Sequence, residues 1–226
     1  MSRNPLIVAA DLREEAQAEA LAERLSGLVA ALKVGLELFT SAGPTVLDRL
    51  RVHAPLFVDL KLHDIPTTVG RASRNLGRLG ASLMTVHALG GPDMVRAAVE
   101  GAAEGASEAG LEPPGVLAVT VLSSLGGEGL ASPSSLAFEA VDAGAAGVVV
   151  SGDDVVTVRE VLGPVAILVV PGVRPGSHSA NDHVRVMSPG QALERGADYI
   201  VVGRPITGSP DPAAAARAVL REAGVE

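Results

Sequence analysis

Residues 57–68 read FVDLKLHDIPTT. The run opens as an apolar strand, yet it carries Asp59 and Lys61 two residues apart and Asp64 just beyond. Side chains alternate along a strand, so Asp59 and Lys61 share one face while Val58, Leu60 and Leu62 share the other. Burying an unpaired carboxylate or ammonium is costly, so the two are expected to be partners. From about Thr68 to Leu79 the pattern turns helical, and the stretch reads as the joint of a strand-then-helix unit.

The same unit recurs in both directions. Upstream, Leu6–Ala10 is an apolar run ending in Asp11, followed by a helical pattern over Arg13–Leu28 in which Leu21, Leu25 and Leu28 recur at helical spacing. Ala31–Val34, which contains Lys33, leads into a helix over about Leu38–Arg51. Downstream, Leu83–His87, Val116–Leu122, Gly147–Val150, Val165–Val170 and Tyr199–Val202 read as strands. Between and after them, helices are expected over Pro92–Ser107, Pro133–Val141, from Asp153 and Asp154 as N-caps to Leu162, over Pro189–Arg195, and from Asp211 to about Ala223. Eight strands thus alternate with eight helices. Such alternation implies parallel strands with right-handed crossovers, and no Gly-x-Gly-x-x-Gly follows the first strand. The expected fold is therefore an α/β (β/α)8 TIM barrel, a single domain over residues 1–226.

Composition narrows the function classes. The formal net charge of -8 argues against nucleic acid, whose binders need a basic face for counterion release. Cysteine is absent, which excludes a thiolate nucleophile and Cys-ligated metal and is compatible with a reducing compartment. The apolar run near the N-terminus stops at Asp11, and nowhere do eighteen apolar residues run together, so a cytoplasmic protein without membrane insertion is expected.

Barrels of this kind place their chemistry at the C-terminal strand ends, which selects Asp11, Lys33, Asp59, Lys61, Asp64, His87, Ser123, Arg174 and Arg204. Lysines and carboxylates alternate in this set. In such an array each carboxylate favours the protonated amine, so the expected chemistry is proton delivery rather than Schiff-base formation. A purely structural ion-pair network is the competing explanation. PGVRPG after the seventh strand and VVGRP after the eighth each set a Gly beside an Arg, where barrels commonly hold a phosphate; a phosphorylated substrate is expected, with Arg204 and Arg174 as anchors. The Gly/Ser/Pro-rich stretch from Gly172 to Pro189 has the length of a lid or binding loop.

Other polar groups carry less. His178 and His183 near Asp182 sit in that loop, and no metal site is expected there. His63 and His87 are read as orienting neighbours, and Glu37, Glu100, Glu104 and Glu108 as solvated helix faces. Gly90-Gly91 and Gly126-Gly127 are read as turns.

Over essentially its whole length the chain resembles the bacterial-type orotidine 5'-phosphate decarboxylases. The signature Asp-x-Lys-x-x-Asp-Ile-Pro-x-Thr stands here as Asp59, Lys61, Asp64, Ile65, Pro66 and Thr68. KVG at Lys33, VHALGG at His87, VTVLSS at Ser123, GVRP at Arg174 and VGRP at Arg204 follow in the family's order. The resemblance implies conversion of orotidine 5'-monophosphate to UMP and carbon dioxide, in de novo pyrimidine biosynthesis, by a homodimer without metal or organic cofactor. By the same resemblance Lys61 protonates C6, Asp59 lies beside the departing carboxylate, and Lys33 links Asp59 to the ribose hydroxyls that Asp11 also binds. Asp64 and Thr68 enter the neighbouring subunit's site, and Ile65 is among the substrate-binding residues. Ser123 contacts the pyrimidine, and Arg204, the Gly203 backbone and Arg174 hold the phosphate under a lid from Arg174 to Ser188. The family usually has Gln in that lid where this chain has His183, whose imidazole can make one of the contacts to phosphate and pyrimidine but is shorter and less able to bridge both. Two alternatives remain: a magnesium-dependent keto-sugar-phosphate decarboxylase or aldolase of the same barrel group, against which the Ile65-Pro66-x-Thr68 continuation argues, and a non-catalytic phosphate-binding barrel.

Overall fold

Short runs of Val, Ile, Leu and Ala, buried on both faces as parallel strands require, form eight strands. They are β1 Leu6–Ala9, β2 Ala31–Gly35, β3 Leu56–Leu62, β4 Leu83–His87, β5 Gly115–Val119, β6 Gly147–Val149, β7 Ile167–Val170 and β8 Tyr199–Val202. In this computed structural model, which describes residues 4–121, 132–176 and 187–225, the strands close in sequence order into a parallel barrel. The helices are α1 Glu15–Leu25, α2 Leu36–Ala42, α3 Thr45–Leu50, α4 Pro66–Arg78, α5 Pro92–Ala109, α6 Pro133–Asp142, α7 Val155–Leu162, α8 Pro189–Glu194, α9 Arg204–Thr207 and α10 Pro212–Glu222.

Most boundaries fall where the sequence puts them, and the differences have local causes. The single helix expected over Leu38–Arg51 is two, because Gly43 adopts a φ of 75° and Pro44, which has no N–H to donate, follows it. Strand β7 begins at Ile167 rather than Val165, whose side chain is in solvent. Asp154 precedes α7, but its side chain caps no helical N–H and instead accepts the Ser151 hydroxyl at 2.7 Å. Asp211 does cap α10, accepting the Ala214 N–H at 3.1 Å, and Ser188 with Gln191 forms a reciprocal capping box at the start of α8. The four-residue α9 and a 3-10 turn over Ala88–Gly90 were not expected.

The chain comprises two compact units, Met1–Phe57 with Val170–Glu226, and Val58–Val169. In the first, β1 pairs with β2 through Ile7↔Ala31 and with β8 through Val8↔Val202, and Leu6, Ile7, Leu32, Val34 and Ile200 are fully buried. In the second, β4 to β7 run in parallel register, Val86↔Ala118, Ala118↔Val148 and Val148↔Leu168. Here α4 and α5 lie unusually close: a Cβ on Gly77 would strike the Ala102 carbonyl, one on Gly101 the Gly70 carbonyl, and one on Gly105 the Arg74 carbonyl. The approach also lets Arg74 form ion pairs with Glu108 and, at 4.0 Å, Glu104, while Arg78 reaches Glu108 at 3.9 Å. Glu104 and Glu108 therefore bind the neighbouring helix rather than simply facing water, and the Arg74 hydrogen bond holds the Glu108 carboxyl below its ordinary range.

Candidate active site

Strand β3 sends a carboxylate and an ammonium to one place by an unexpected route. Its pleat breaks at Lys61, which has a φ of 50°, alone among the described non-glycine residues in having a positive value. The left-handed region costs a non-glycine residue about 1–2 kcal/mol, so neighbouring bonds must hold it. The Lys61 N–H donates to Thr85 Oγ1 at 2.8 Å, and Lys61 Nζ donates to Asp59 Oδ2, also at 2.8 Å. Thr85 Oγ1 in turn donates to Asp59 Oδ1 at 2.9 Å. The expected Asp59–Lys61 pair is present, but the uninterrupted alternation that suggested it is not. The Asp59 side chain is 12% exposed and that of Lys61 31%, so the pair is poorly solvated while the ammonium stays accessible.

Thr85 carries no part of the sequence motif. Its only signal is a hydroxyl in the apolar strand LMTVH, two residues from His87 and so on the same face. The His87 ring lies 5.3 Å from that of His63, tilted by 41°. Burial depresses its pKa below the ordinary 6.5, helped by His63 and Lys61 and opposed by Asp59. The unfolded chain therefore binds the proton that folded His87 resists, and stability falls as pH drops from about 6.5 through the lowered folded value. His87→Asn is expected to flatten that decline. Denaturant midpoints at about pH 7.5 and pH 5.5 measure it, and an equal fall in both proteins would refute the assignment.

In the other unit, Lys33 Nζ donates to Asp11 Oδ1 at 3.0 Å. Gly35 makes this possible, since a Cβ there would come within 2.9 Å of Asp11 Oδ1 and 3.1 Å of Lys33 Nζ. The Lys33 side chain is largely buried and that of Asp11 half in water, so one end of the pair is open to a ligand. Arg174 follows β7, and its backbone N–H donates to Met187 O at 3.1 Å, tying together the two ends of the expected lid. Gly203 and the exposed Arg204 follow β8, with Arg204 opening α9.

Beyond β3, residues 63–68 are all exposed, Ile65 by 66% despite its apolar side chain. Asp64 Oδ1 accepts the Ile65 N–H at 2.7 Å, and Pro66 starts α4. Ser123 and His183 lie outside the described residues, as do His178, Asp182 and Gly126-Gly127. Among the described residues no cluster of His, Asp and Glu has the arrangement of a metal site, and no helix is long and apolar enough to cross a membrane.

A closed parallel barrel with lysine–carboxylate pairs at strand ends defines a class of β/α-barrel proteins equipped for acid–base chemistry on a small substrate. The chain belongs to the orotidine 5'-phosphate decarboxylase / HUMPS family, whose model matches residues 4–219. It is 47% identical to an orotidine 5'-phosphate decarboxylase of Paramagnetospirillum magneticum, over 98% of this chain and 99% of that protein. It is 49% identical to the one from Anaeromyxobacter dehalogenans, over 95% and 96%. The crystal structure of orotidine 5'-phosphate decarboxylase from Lactobacillus acidophilus superposes with a TM-score of 0.85 at 37% identity, covering 99% of this chain and all of that one.

Proposed function

We propose that this protein decarboxylates orotidine 5'-monophosphate to UMP and carbon dioxide in pyrimidine biosynthesis. The observation that carries the reading is the 2.8 Å Asp59–Lys61 pair at the end of a barrel strand in a chain of this family. The bond from C6 to the carboxylate breaks, its electron pair stays on C6, carbon dioxide leaves, and Lys61 Nζ gives C6 a proton; solvent later reprotonates the amine. A fixed ammonium interacts more strongly as charge builds on C6, which lowers the barrier rather than only tightening binding. Asp59 orients that ammonium beside the departing carboxylate. Lys33 and Asp11 hold the ribose hydroxyls, Ser123 the pyrimidine, and Arg204, the Gly203 backbone and Arg174 the phosphate, with His183 in the covering lid. The reading calls for neither metal nor organic cofactor.

The working form in this proposal is a homodimer in which Asp64, Ile65 and Thr68 reach the neighbouring subunit's site. Their exposure, and that of apolar Ile65 in particular, supports the assignment. The purified chain should consume orotidine 5'-monophosphate, followed by absorbance, with chelator present. Loss of turnover on chelation would point to the magnesium-dependent alternative, and no turnover in either condition would end the decarboxylase reading. Asp64→Asn and Lys61→Ala subunits, inactive alone, should regain about a quarter of wild-type activity when mixed equally, because half the dimers then hold one intact site. Hetero-dimers without recovered activity would refute the sharing.

A further inference from the structure

We infer that Thr85 is a positioning residue for the Asp59–Lys61 pair, fixing the proton donor's backbone and the carboxylate's orientation through one buried hydroxyl. The inference rests on the decarboxylase reading and extends it to a residue outside the family motif. Thr85 is fully buried in the middle of β4, so it acts through its neighbours and not on substrate. The direction of its bonds follows from proton count. The Lys61 N–H can only donate, so at 2.8 Å it uses a lone pair of Oγ1, and the single hydroxyl proton is left for Asp59 Oδ1 at 2.9 Å.

Two constraints follow from that chain. Asp59 has Oδ1 engaged by Thr85 and Oδ2 by Lys61 Nζ, so its carboxylate cannot rotate without breaking a bond in a poorly solvated place. Lys61 is held at its left-handed φ of 50° by the bond from its own N–H. The ammonium's position is thereby set from both ends, at the Cα through the backbone and at Nζ through the carboxylate. A β-branched residue suits this work, because its χ1 is stiff and the hydroxyl stays where the strand puts it.

Thr85→Val keeps the shape and removes the hydroxyl, and it is expected to lower kcat on the order of 10²-fold while KM changes little, as a misplaced catalytic group does. Thr85→Ser, which retains the hydroxyl, should keep kcat within about threefold of wild type. A merely structural role would lower stability and leave kcat per folded molecule intact. A kcat for Thr85→Val within about threefold of wild type, or a Ser variant as impaired as Val, overturns the inference. If Thr85→Val does not fold, Thr85→Cys, a weak donor of similar size, is read the same way and should give an intermediate kcat. Hydrogen exchange at the Lys61 amide needs no turnover: protection should be lost in Thr85→Val and kept in Thr85→Ser, and unchanged protection in the Val variant overturns the inference. Wild-type protein inert toward orotidine 5'-monophosphate would instead remove the decarboxylase reading, leaving the exchange result to judge the geometry alone.

Discussion

Lys61→Ala is expected to lower kcat for orotidine 5'-monophosphate by about 10³-fold or more, because in the proposed mechanism one group supplies both the proton and the electrostatic stabilisation. Each contribution alone is worth on the order of 10²-fold or more, and both are lost with the ammonium. Binding should suffer less, since Arg204, Arg174, Asp11 and Lys33 contact other parts of the substrate in the proposed site. The substitution also takes one cation from Asp59, 12% exposed at its side chain, so melting should be recorded beside steady-state kinetics to separate lost chemistry from lost fold. A folded Lys61→Ala protein with more than about a tenth of wild-type kcat would remove Lys61 from the role of proton donor.

Gly105→Ala should be the most damaging small change outside the site. Inside an exposed helix the substitution would help, since glycine costs about 1 kcal/mol relative to alanine. Here the added Cβ would meet the Arg74 backbone across the α4–α5 contact, and a backbone carbonyl cannot swing aside as a side chain can. Overpacking typically costs about 1–3 kcal/mol and more where nothing yields, so the clash outweighs the propensity gain. Thermal denaturation should show a lower midpoint for Gly105→Ala. Gly176→Ala, whose Cβ would have only Glu222 Oε1, at 3.7 Å, nearby among the described residues, should be close to neutral. Equal or greater stability of Gly105→Ala would show that the helices separate freely. A displaced α4 would also carry residues 64–68 with it, so activity should fall alongside stability.

The fold was legible because its signals are local and repeated. Apolar runs such as Leu6–Ala9 and Tyr199–Val202 are buried along their whole length, and Pro66, Pro92, Pro133, Pro189 and Pro212 each open a helix. What sequence obscured was conformational detail: the break at Gly43-Pro44, the short α9, and Asp154 bonding Ser151 in place of the helix end. Asp59, Lys61, Lys33 and Asp11 were visible as charges in or beside apolar strands, and the structure pairs Lys61 with Asp59 in one unit and Lys33 with Asp11 in the other. Thr85 was missed because a threonine in a strand is ordinary. Its significance depends on a partner twenty-four residues away. The Arg74–Glu108 pair was missed for the same reason, since it depends on how closely two helices approach.

The left-handed turn at Lys61 has a consequence for how this protein can be changed. Backbone conformation alone favours Gly or Asn at such a position, by about 1–2 kcal/mol over other residues. The substitution that relaxes this turn is also the one that takes a cation from Asp59, so backbone strain and the ion pair pull position 61 in opposite directions. A laboratory selection that rewarded only heat resistance would therefore gain from glycine at position 61 only if Asp59 changed as well, and the pair proposed to do the chemistry would be lost together.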